Sequence, residues 1–379
     1  MERKEILAQH VYSITQTQSE NGKVIYSTYL PKQDGGRIFR RRNTLAELQD
    51  IIVAHYKAMR EEIYIHTVFD QWITQKLEFE EIQKASYDRY MTDYQRFFQA
   101  YHHPIQKKKF KNITEDDLEN FIKSAIRDLA LTRKSYAGLR TLILGIFKYG
   151  KRKKYTSLSI TEFFGDLELP KNLFKRKTVQ KEKEVFMEDE IPLITGYLRE
   201  HPDIYNLGIL LTFFTGMRVG ELSSLKPEDL SPNCIRIRRT EDKFRGEDGK
   251  WVVTVKDHAK TDAGHRDLII PNAANEVLVM ILELNPDGEY LFENHGKRIR
   301  GNTFNKRLSA VCDKLGMPHR TMHKIRKTYG TTLIDNNVDE RFITEQMGHA
   351  DISTTKKIYY FSNKNLKNKA HQIERAISF

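Results

Sequence analysis

Residues 203–225 read DIYNLGILLTFFTGMRVGELSSL. The spacing of apolar residues predicts a helix, and the stretch delivers Arg218 between Gly216 and Gly220. Two glycines so close together let backbone approach tightly and leave a guanidinium room to point into a groove. Beyond it, CIRIRR (234–239), KWVVTVK (250–256) and RDLIIP (266–271) have the β-branched character of strands. GEDGK (246–250) and TDAGH (261–265) supply turns between them. The rest of the chain is again helical in pattern, so this half is α+β.

Toward the N-terminus the pattern changes twice. From about Thr67 to Leu169 it is mostly helical. VFDQWITQKL (68–77), ASYDRYMTDYQRFFQAY (85–101), TEDDLENFIKSAIRDLAL (114–131) and SYAGLRTLILGIFKYGKRK (135–153) all repeat apolar residues at three- and four-residue intervals. Asn112 or Thr114 caps the third of these. The first sixty residues differ. SITQTQ (13–18) and KVIYSTYL (23–30) alternate around Asn21-Gly22, a strong hairpin signal. QDGG (33–36) then turns the chain into RIFRRR (37–42), and Asn43 or Thr44 opens a helix. Three strands and a helix make a small module, too small to be more than marginal alone. The expected organisation is a strand–helix module over 1–62, a helical bundle over 63–170, a lysine-rich linker over 171–184, and an α+β domain over 185–379. The fold class is therefore multidomain and mainly α.

The chain has 379 residues, with 63 Lys and Arg against 51 Asp and Glu, a net charge of +12. A pI near 9.3 favours a polyanionic partner: DNA, RNA or an acidic membrane surface. No run of about 18 apolar residues exists, so no transmembrane helix is expected, and the N-terminus lacks the apolar core of a signal peptide. No RNP-type aromatic motif supports RNA. The only two cysteines, Cys234 and Cys312, cannot build a disulfide framework or a cysteine zinc site, which fits a reducing cytoplasm. A phosphate loop of the GxxxxGK[ST] type, a GxSxG elbow and HExxH spacing are all absent, so ATP use, esterase chemistry and zinc hydrolysis are not indicated.

Basic clusters punctuate the chain. Arg40, Arg41 and Arg42 end the N-terminal strand signals. Lys107, Lys108 and Lys109, then Lys151, Arg152, Lys153 and Lys154, bracket the helices, and Lys175, Arg176 and Lys177 sit in the linker. Any one cluster reads as a solvated face. Several around one bundle read better as a surface that tracks phosphates.

Four stretches of the C-terminal half carry chemistry only as a set. They are Arg218 in TGMRVGEL, Lys260 in KTDAGHR, His323 and Arg326 on one face of HKIR, and His349 with Tyr359 or Tyr360 in MGHADISTTKKIYYF. Singly, an arginine is ordinarily solvated, a histidine ordinarily a satisfied core residue, and a tyrosine ordinarily core or rim. Together, two arginines and a lysine neutralise charge building on a phosphodiester. The histidines donate or shuttle protons near neutral pH. A tyrosine offers an oxygen nucleophile that cationic neighbours help ionise. Lys260 is the candidate acid for a sugar alkoxide leaving group. No metal or other cofactor is called for, because the cations are side chains.

The order Arg…Lys…His-x-x-Arg…Gly-His…Tyr resembles that of the tyrosine recombinase family, the phage and conjugative-transposon integrases. TGMRVGEL resembles the first-arginine motif, KTDAGHRDLIIP the lysine-bearing hairpin, HKIRKTYGTTLI the HxxR helix, and MGHADISTTKKIYY the terminal block. The resemblance is strong over roughly residues 180–379 and rests on layout before that. It implies that Arg218 and Arg326 bind the scissile phosphate, Lys260 is the general acid, His323 the general base, His349 a phosphate donor, and Tyr359 the nucleophile. Tyr359 is preferred to Tyr360 because Ile358-Tyr359 matches the usual apolar-Tyr pair. The resemblance further implies an arm-type DNA-binding module at the N-terminus, a core-site DNA-binding bundle, and a homotetramer on two duplex DNA sites. Strand exchange then passes through a 3′-phosphotyrosyl link and a Holliday junction. A directionality factor and a DNA-bending host protein commonly assist integrases with arm domains. The amphipathic tail NLKNKAHQIERAISF (365–379) packs on its own domain or, as the resemblance favours, on a neighbouring protomer. The competing readings are a resolvase or relaxing enzyme of the same chemistry, and a non-catalytic DNA-binding regulator on the same scaffold.

Overall fold

The structure is a computed structural model that describes residues 3–18, 22–32, 35–61, 63–176, 180–246, 248–257, 264–348 and 363–377. The chain is mainly helical with small sheets and divides into two compact units, Met1–Lys177 and Thr178–Phe379. Among the described residues no helix is long and apolar enough to cross a membrane.

The first unit begins with α1 (Arg3–Ala8), which the sequence pattern does not announce. An antiparallel sheet follows, β1 (Thr15–Gln18), β2 (Val24–Pro31) and β3 (Arg37–Arg42), in that order, and then α2 (Leu45–Glu61). Register pairs Tyr29 with Phe39 and Leu30 with Ile38. Strand alternation therefore sends Leu30 and Ile38 to the face that packs with Leu48 and Ile52 of α2. Tyr29 and Phe39 take the other face, where their rings pack 5.3 Å apart and Arg37 lies over Tyr29. Thr44, not Asn43, caps α2, its Oγ1 accepting the Glu47 N–H at 3.3 Å.

The bundle is built from α3 (Ile65–Glu78), α4 (Lys84–Tyr94), α5 (Glu115–Asp128), α6 (Arg133–Arg152) and α7 (Ile160–Asp166). A π-helical turn, Gln95–Gln99, extends α4 and sets Phe97 and Phe98 into the core. Thr114 and Asp117 form a reciprocal capping box at the start of α5. Phe69, Trp72, Phe121, Ile143 and Phe147 fill the interior. Part of the expected linker is folded rather than extended. Phe174 is buried against Tyr136 and Arg133, and the Lys175 N–H donates to the Leu131 carbonyl at 2.9 Å. At its other end, Glu184 is paired and Val185 and Phe186 are buried in the second unit.

In the second unit α8 (Glu190–Glu200) is followed by α9 (Ile204–Thr215) and the short α10 (Val219–Leu222). The single helix expected over 203–225 is thus broken. Gly216 adopts φ +61 and ends α9. Leu207, Ile209, Leu210 and Leu211 are all fully buried, so α9 has no polar face and becomes the central helix. α8, α11 (Asn272–Leu284), α12 (Gly301–Lys314) and α13 (Met322–Asp335) pack around it. Three strands, β4 (Leu230–Ser231), β5 (Cys234–Ile237) and β8 (Arg266–Ile269), form one antiparallel sheet. β6 (Thr240–Arg245) and β7 (Trp251–Lys256) pair with each other as a separate antiparallel hairpin. KWVVTVK therefore pairs with a strand not expected from the sequence, while RDLI pairs with CIRI. A two-residue pairing of β9 (Glu293–Asn294) with β10 (Lys297–Arg298) precedes α12. Beyond α13 lie α14 (Glu340–Met347) and the tail helix α15 (Leu366–Ala376). Cys234 and Cys312 are both free thiols.

Packing within the bundle is tight enough to test. A Cβ added to Gly145 on α6 would lie 2.1 Å from the Trp72 ring. Gly145→Ala is expected to destabilise the chain by about 1–3 kcal/mol, against the alanine preference of a helix interior. Chemical denaturation measures it, and Trp72→Leu in the same chain should recover part of the loss.

Candidate active site

The site is built where two helices end. α9 is capped at its start by Asp203, which accepts the Tyr205 and Asn206 N–H groups, and stops at Gly216. The reason it stops there is steric as well as conformational. A Cβ at position 216 would lie 2.2 Å from the Tyr329 ring. α14 likewise ends at a left-handed glycine, Gly348, at φ +56. A helix C-terminus leaves carbonyls without partners and carries the negative end of the helix dipole. Three arginines use those carbonyls.

Arg326, on α13, is 1% exposed. Its Nη1 donates to the Gly216 carbonyl at 2.8 Å and its Nη2 to the Met347 carbonyl. The charge is thereby held between the C-terminal ends of α9 and α14. Arg218 is the N-cap residue of α10, and its side chain is 38% exposed. Its Nη2 donates to the Gly348 carbonyl at 2.9 Å. Arg266, the first residue of β8, donates from Nε to the Gln346 carbonyl at 2.9 Å. Consecutive carbonyls 346, 347 and 348 thus each receive one arginine.

One buried carboxylate ties two of these arginines together. Glu221 Oε1 accepts from Arg218 Nη1 at 2.7 Å and Arg266 Nη1 at 3.1 Å. Its Oε2 accepts from the Arg218 backbone N–H at 2.8 Å and Arg266 Nη2 at 2.9 Å. Burial alone would raise its pKa. The hydrogen bonds and charge of Arg266, with the charges of Arg218 and Arg326, overcome that and hold it at about 2. Three guanidiniums against one carboxylate leave net positive charge, which suits an anion.

His323 sits one turn before Arg326 on α13, at an exposed position of the helix. Partial desolvation and the cations Lys327, Arg326 and Lys324 push its pKa down to about 4, against a smaller upward pull from Glu184. At neutral pH the imidazole is uncharged and able to accept a proton. Lys324 and Lys327 are themselves paired with Glu184 at 2.6 and 2.5 Å. Burial works against that carboxylate, yet the two lysines bring it to about 2.

Of the six positions expected from the sequence, Arg218 and Arg326 converge on the same turn of backbone, and His323 joins the helix of Arg326. Lys260, His349, Tyr359 and the alternative Tyr360 lie outside the described residues. Glu221, Arg266 and Glu184 were not singled out. The i,i+3 spacing of Arg218 and Glu221 on a predicted helix was the available signal. Among the basic clusters, Arg40, Arg41 and Arg42 are exposed, with Arg41 on the Phe39 face of the sheet and Arg40 and Arg42 on the Ile38 face. Lys107, Lys108, Lys151, Arg152, Lys153, Lys154, Lys175 and Arg176 are exposed and Lys109 half-buried. Lys108 is engaged with Asp117 at 2.6 Å. Lys177 lies outside the described residues. Among those described, no cluster of His, Cys, Asp and Glu is arranged to hold a metal ion.

Glu221 predicts its own pH dependence. Its folded pKa lies below the ordinary value of 4.5, so its contribution is complete above about pH 4.5 and is lost as pH falls toward about 2. Glu221→Gln leaves two arginines short of their counterion and should cost about 3 kcal/mol at pH 7. Denaturant unfolding from pH 7 to pH 3 should show the variant losing less stability on acidification than the parent chain.

Residues 184–365 match the Phage integrase family. The tyrosine recombinase XerC of Herpetosiphon aurantiacus is 28% identical over 267 residues, which is 67% of this chain and 78% of that protein. In fold, the chain is similar to the Tn1549 transposon integrase solved with transposon right end DNA, at a TM-score of 0.63 and 15% identity, covering 82% of this chain and 99% of that one. It is also similar to lambda integrase, solved as a tetramer bound to a Holliday junction, at a TM-score of 0.56 and 15% identity, covering 92% of this chain and 95% of that one.

Proposed function

We propose that the chain is a tyrosine recombinase of the phage integrase kind, a site-specific integrase which inserts and excises a mobile element. As a tyrosine recombinase it breaks and rejoins DNA. The observation that carries the proposal is the convergence of Arg218 and Arg326 on the carbonyl end of α14, the helix that leads in sequence to His349 and Tyr359.

The chemistry follows from the groups. Arg218 presents its guanidinium to solvent and to a phosphate; Arg326 adds charge from beneath. His323, neutral at working pH, takes the proton of the Tyr359 hydroxyl. The tyrosine oxygen bonds to phosphorus, and the bond from phosphorus to the 5′ oxygen breaks. Lys260 protonates the departing 5′ oxygen, and His349 donates to a phosphate oxygen. The 3′-phosphotyrosyl link conserves the phosphoester, so the 5′-hydroxyl of a partner duplex reseals it without a nucleotide cofactor. Two such rounds pass through a Holliday junction, and four sites imply a homotetramer on DNA.

The N-terminal sheet supports arm-site binding. Arg37, Phe39 and Arg41 share the face opposite α2, beside Tyr29. The bundle, with its exposed Lys151–Lys154 run, takes the core site. The exposed Ile373 and Ile377 of the tail suit a neighbouring protomer. A directionality factor and a DNA-bending host protein complete the set of partners proposed.

A nicked duplex carrying the element's end sequence tests the reading in EDTA, scored as a covalent complex on a denaturing gel. The complex is expected from the parent chain and from Tyr360→Phe, and not from Tyr359→Phe. Loss in Tyr360→Phe alone moves the nucleophile by one residue, and loss of the complex throughout, with DNA still bound, favours the regulator reading. Arg218→Lys loses the planar fork and should slow cleavage by the equivalent of about 3–4 kcal/mol. Affinity for the duplex should fall about 10³-fold or more from about 50 to about 200 mM salt, measured by titration; a flat response would count against phosphate tracking.

A further inference from the structure

Outside the positions just assigned, the second unit holds a third arginine in the same cluster. Arg266 is 6% exposed in its side chain. A guanidinium so covered is expensive unless every direction of its fork is met. Nη1 and Nη2 meet the two oxygens of Glu221, Nη1 also reaches the Gly264 carbonyl at 3.2 Å, and Nε meets the Gln346 carbonyl. The residue therefore joins three segments that are far apart in the chain. They are β8, the turn that carries Arg218, and the end of α14.

We propose that Arg266 is a positioning residue for DNA cleavage, locking the Arg218 turn to the end of α14 so that the phosphate-binding guanidinium and the backbone entering residues 349–360 keep one spacing. This rests on the reading that Arg218 binds the scissile phosphate and Tyr359 attacks it.

The geometry gives Arg266 two separable jobs. One is performed on Glu221. With both carboxylate oxygens charged and occupied, Glu221 fixes Arg218 through its backbone N–H and its Nη1 at once. The groups that face Glu221 are Arg218 from its own turn, Arg266 from β8 and Arg326 from α13, with Tyr329 of α13 beside the last two. Arg266 supplies the largest share of what offsets burial there. The other job is performed on α14. The Gln346 carbonyl immediately precedes the carbonyls that Arg326 and Arg218 hold, so the Nε bond fixes the same helix end one residue earlier. A lysine has one point of charge and no second arm, so it can do the first job and not both.

The two substitutions thus separate the roles. Arg266→Lys keeps a cation beside Glu221 and releases the Gln346 carbonyl. Arg266→Gln releases both. Single-turnover cleavage of the nicked duplex is followed at saturating DNA, from pH 5 to pH 8, alongside DNA affinity and near-ultraviolet circular dichroism. Arg266→Gln is expected to bind DNA as the parent does and to cleave about 10²-fold slower, the size of effect that a small misplacement produces. Its rate should also fall on acidification across a range where the parent is flat. Burial, now offset by Arg218 and Arg326 alone, lets Glu221 take up a proton at higher pH; His323 titrates alike in both chains. Arg266→Lys should cleave about tenfold slower, with the parent's flat acid limb. Adding Glu221→Gln to Arg266→Gln should abolish the acid sensitivity and slow cleavage by less than the product of the two single losses, because both residues act on the Arg218 turn.

A purely structural Arg266 gives a different result. Variants that retain the fold would cleave at the parent's rate with the parent's pH profile, and that overturns the assignment. So do losses that multiply in the double variant. If Arg266→Gln does not fold, Arg266→Lys decides through its rate at saturating DNA, with parental speed counting against the proposal. Absence of any covalent complex from the parent chain removes the phosphotyrosine reading, and with it this one. A parental complex matched by both Arg266 variants removes this one alone.

Discussion

An arginine cannot shed its charge inside a protein, so burying one demands acceptors in fixed places. The second unit meets that demand with the ends of helices. Arg326 bridges the carbonyl of Gly216 and that of Met347, and Arg218 and Arg266 take the carbonyls on either side of the latter. Much else follows from this. α9 has to stop at Gly216, or its terminal carbonyl is spent inside the helix. α14 has to stop at Gly348 for the same reason. The central position of α9 fixes where the first of these ends lies, and the leucines and isoleucine buried all round it fix that position.

The remaining charges around α13 are handled so as not to compete. Lys324 and Lys327 flank His323 and Arg326 in sequence, yet both are drawn to Glu184. Partial desolvation keeps His323 neutral, and the charges of both lysines still reach it and add to that effect. Glu221 is confined to two arginines and a backbone N–H. Within the trio, Arg326 and Arg266 are covered and Arg218 faces solvent, so the excess positive charge of the cluster is expressed at Arg218. An anion arriving there finds donors already oriented, which is the condition under which such donors lower a barrier rather than reorganise around it.

Periodicity and turn chemistry made the larger elements legible. The bundle helices, the N-terminal hairpin and the Thr114 cap all follow from spacing within about twenty residues, and so does the choice of Arg218 and His323-x-x-Arg326 as candidates. What was illegible depends on contacts between distant segments. Residues 203–225 read as one helix because helical spacing continues through Gly216. Tyr329, more than a hundred residues later, is what occupies the space a side chain would need there. TEDKFR (240–245) was passed over as a strand because its charges mask the alternation. Its partner across the hairpin, WVVTVK, supplies the apolar side. Phe174 sits in a run of lysines that reads as linker, and only the bundle shows that it is core. Arg266 had no local signal, since an arginine at the start of a strand is ordinarily solvated, and its partners are at 221 and 346.

The same economy recurs through the unit and explains how so basic a chain uses its acids. Glu190 accepts the Met187 N–H and holds Arg320. Asp229 accepts the Lys226 N–H and holds Arg239 by both oxygens. Glu241 accepts the Gly301 N–H and holds Arg298. Glu221 follows the pattern with Arg218 and Arg266. In each, a backbone donor fixes the carboxylate before the arginine meets it, so the ion pair gains its geometry from the fold rather than from two long side chains finding one another. A surface pair formed by side chains alone contributes little. A pair keyed to a helix start transmits position. At Glu241 it ties the β6–β7 hairpin to the start of α12. At Glu221 it ties the arginine turn to β8 and, through Arg266, to the end of α14. The carboxylates of this unit thus serve less to balance its charge than to decide where its arginines point.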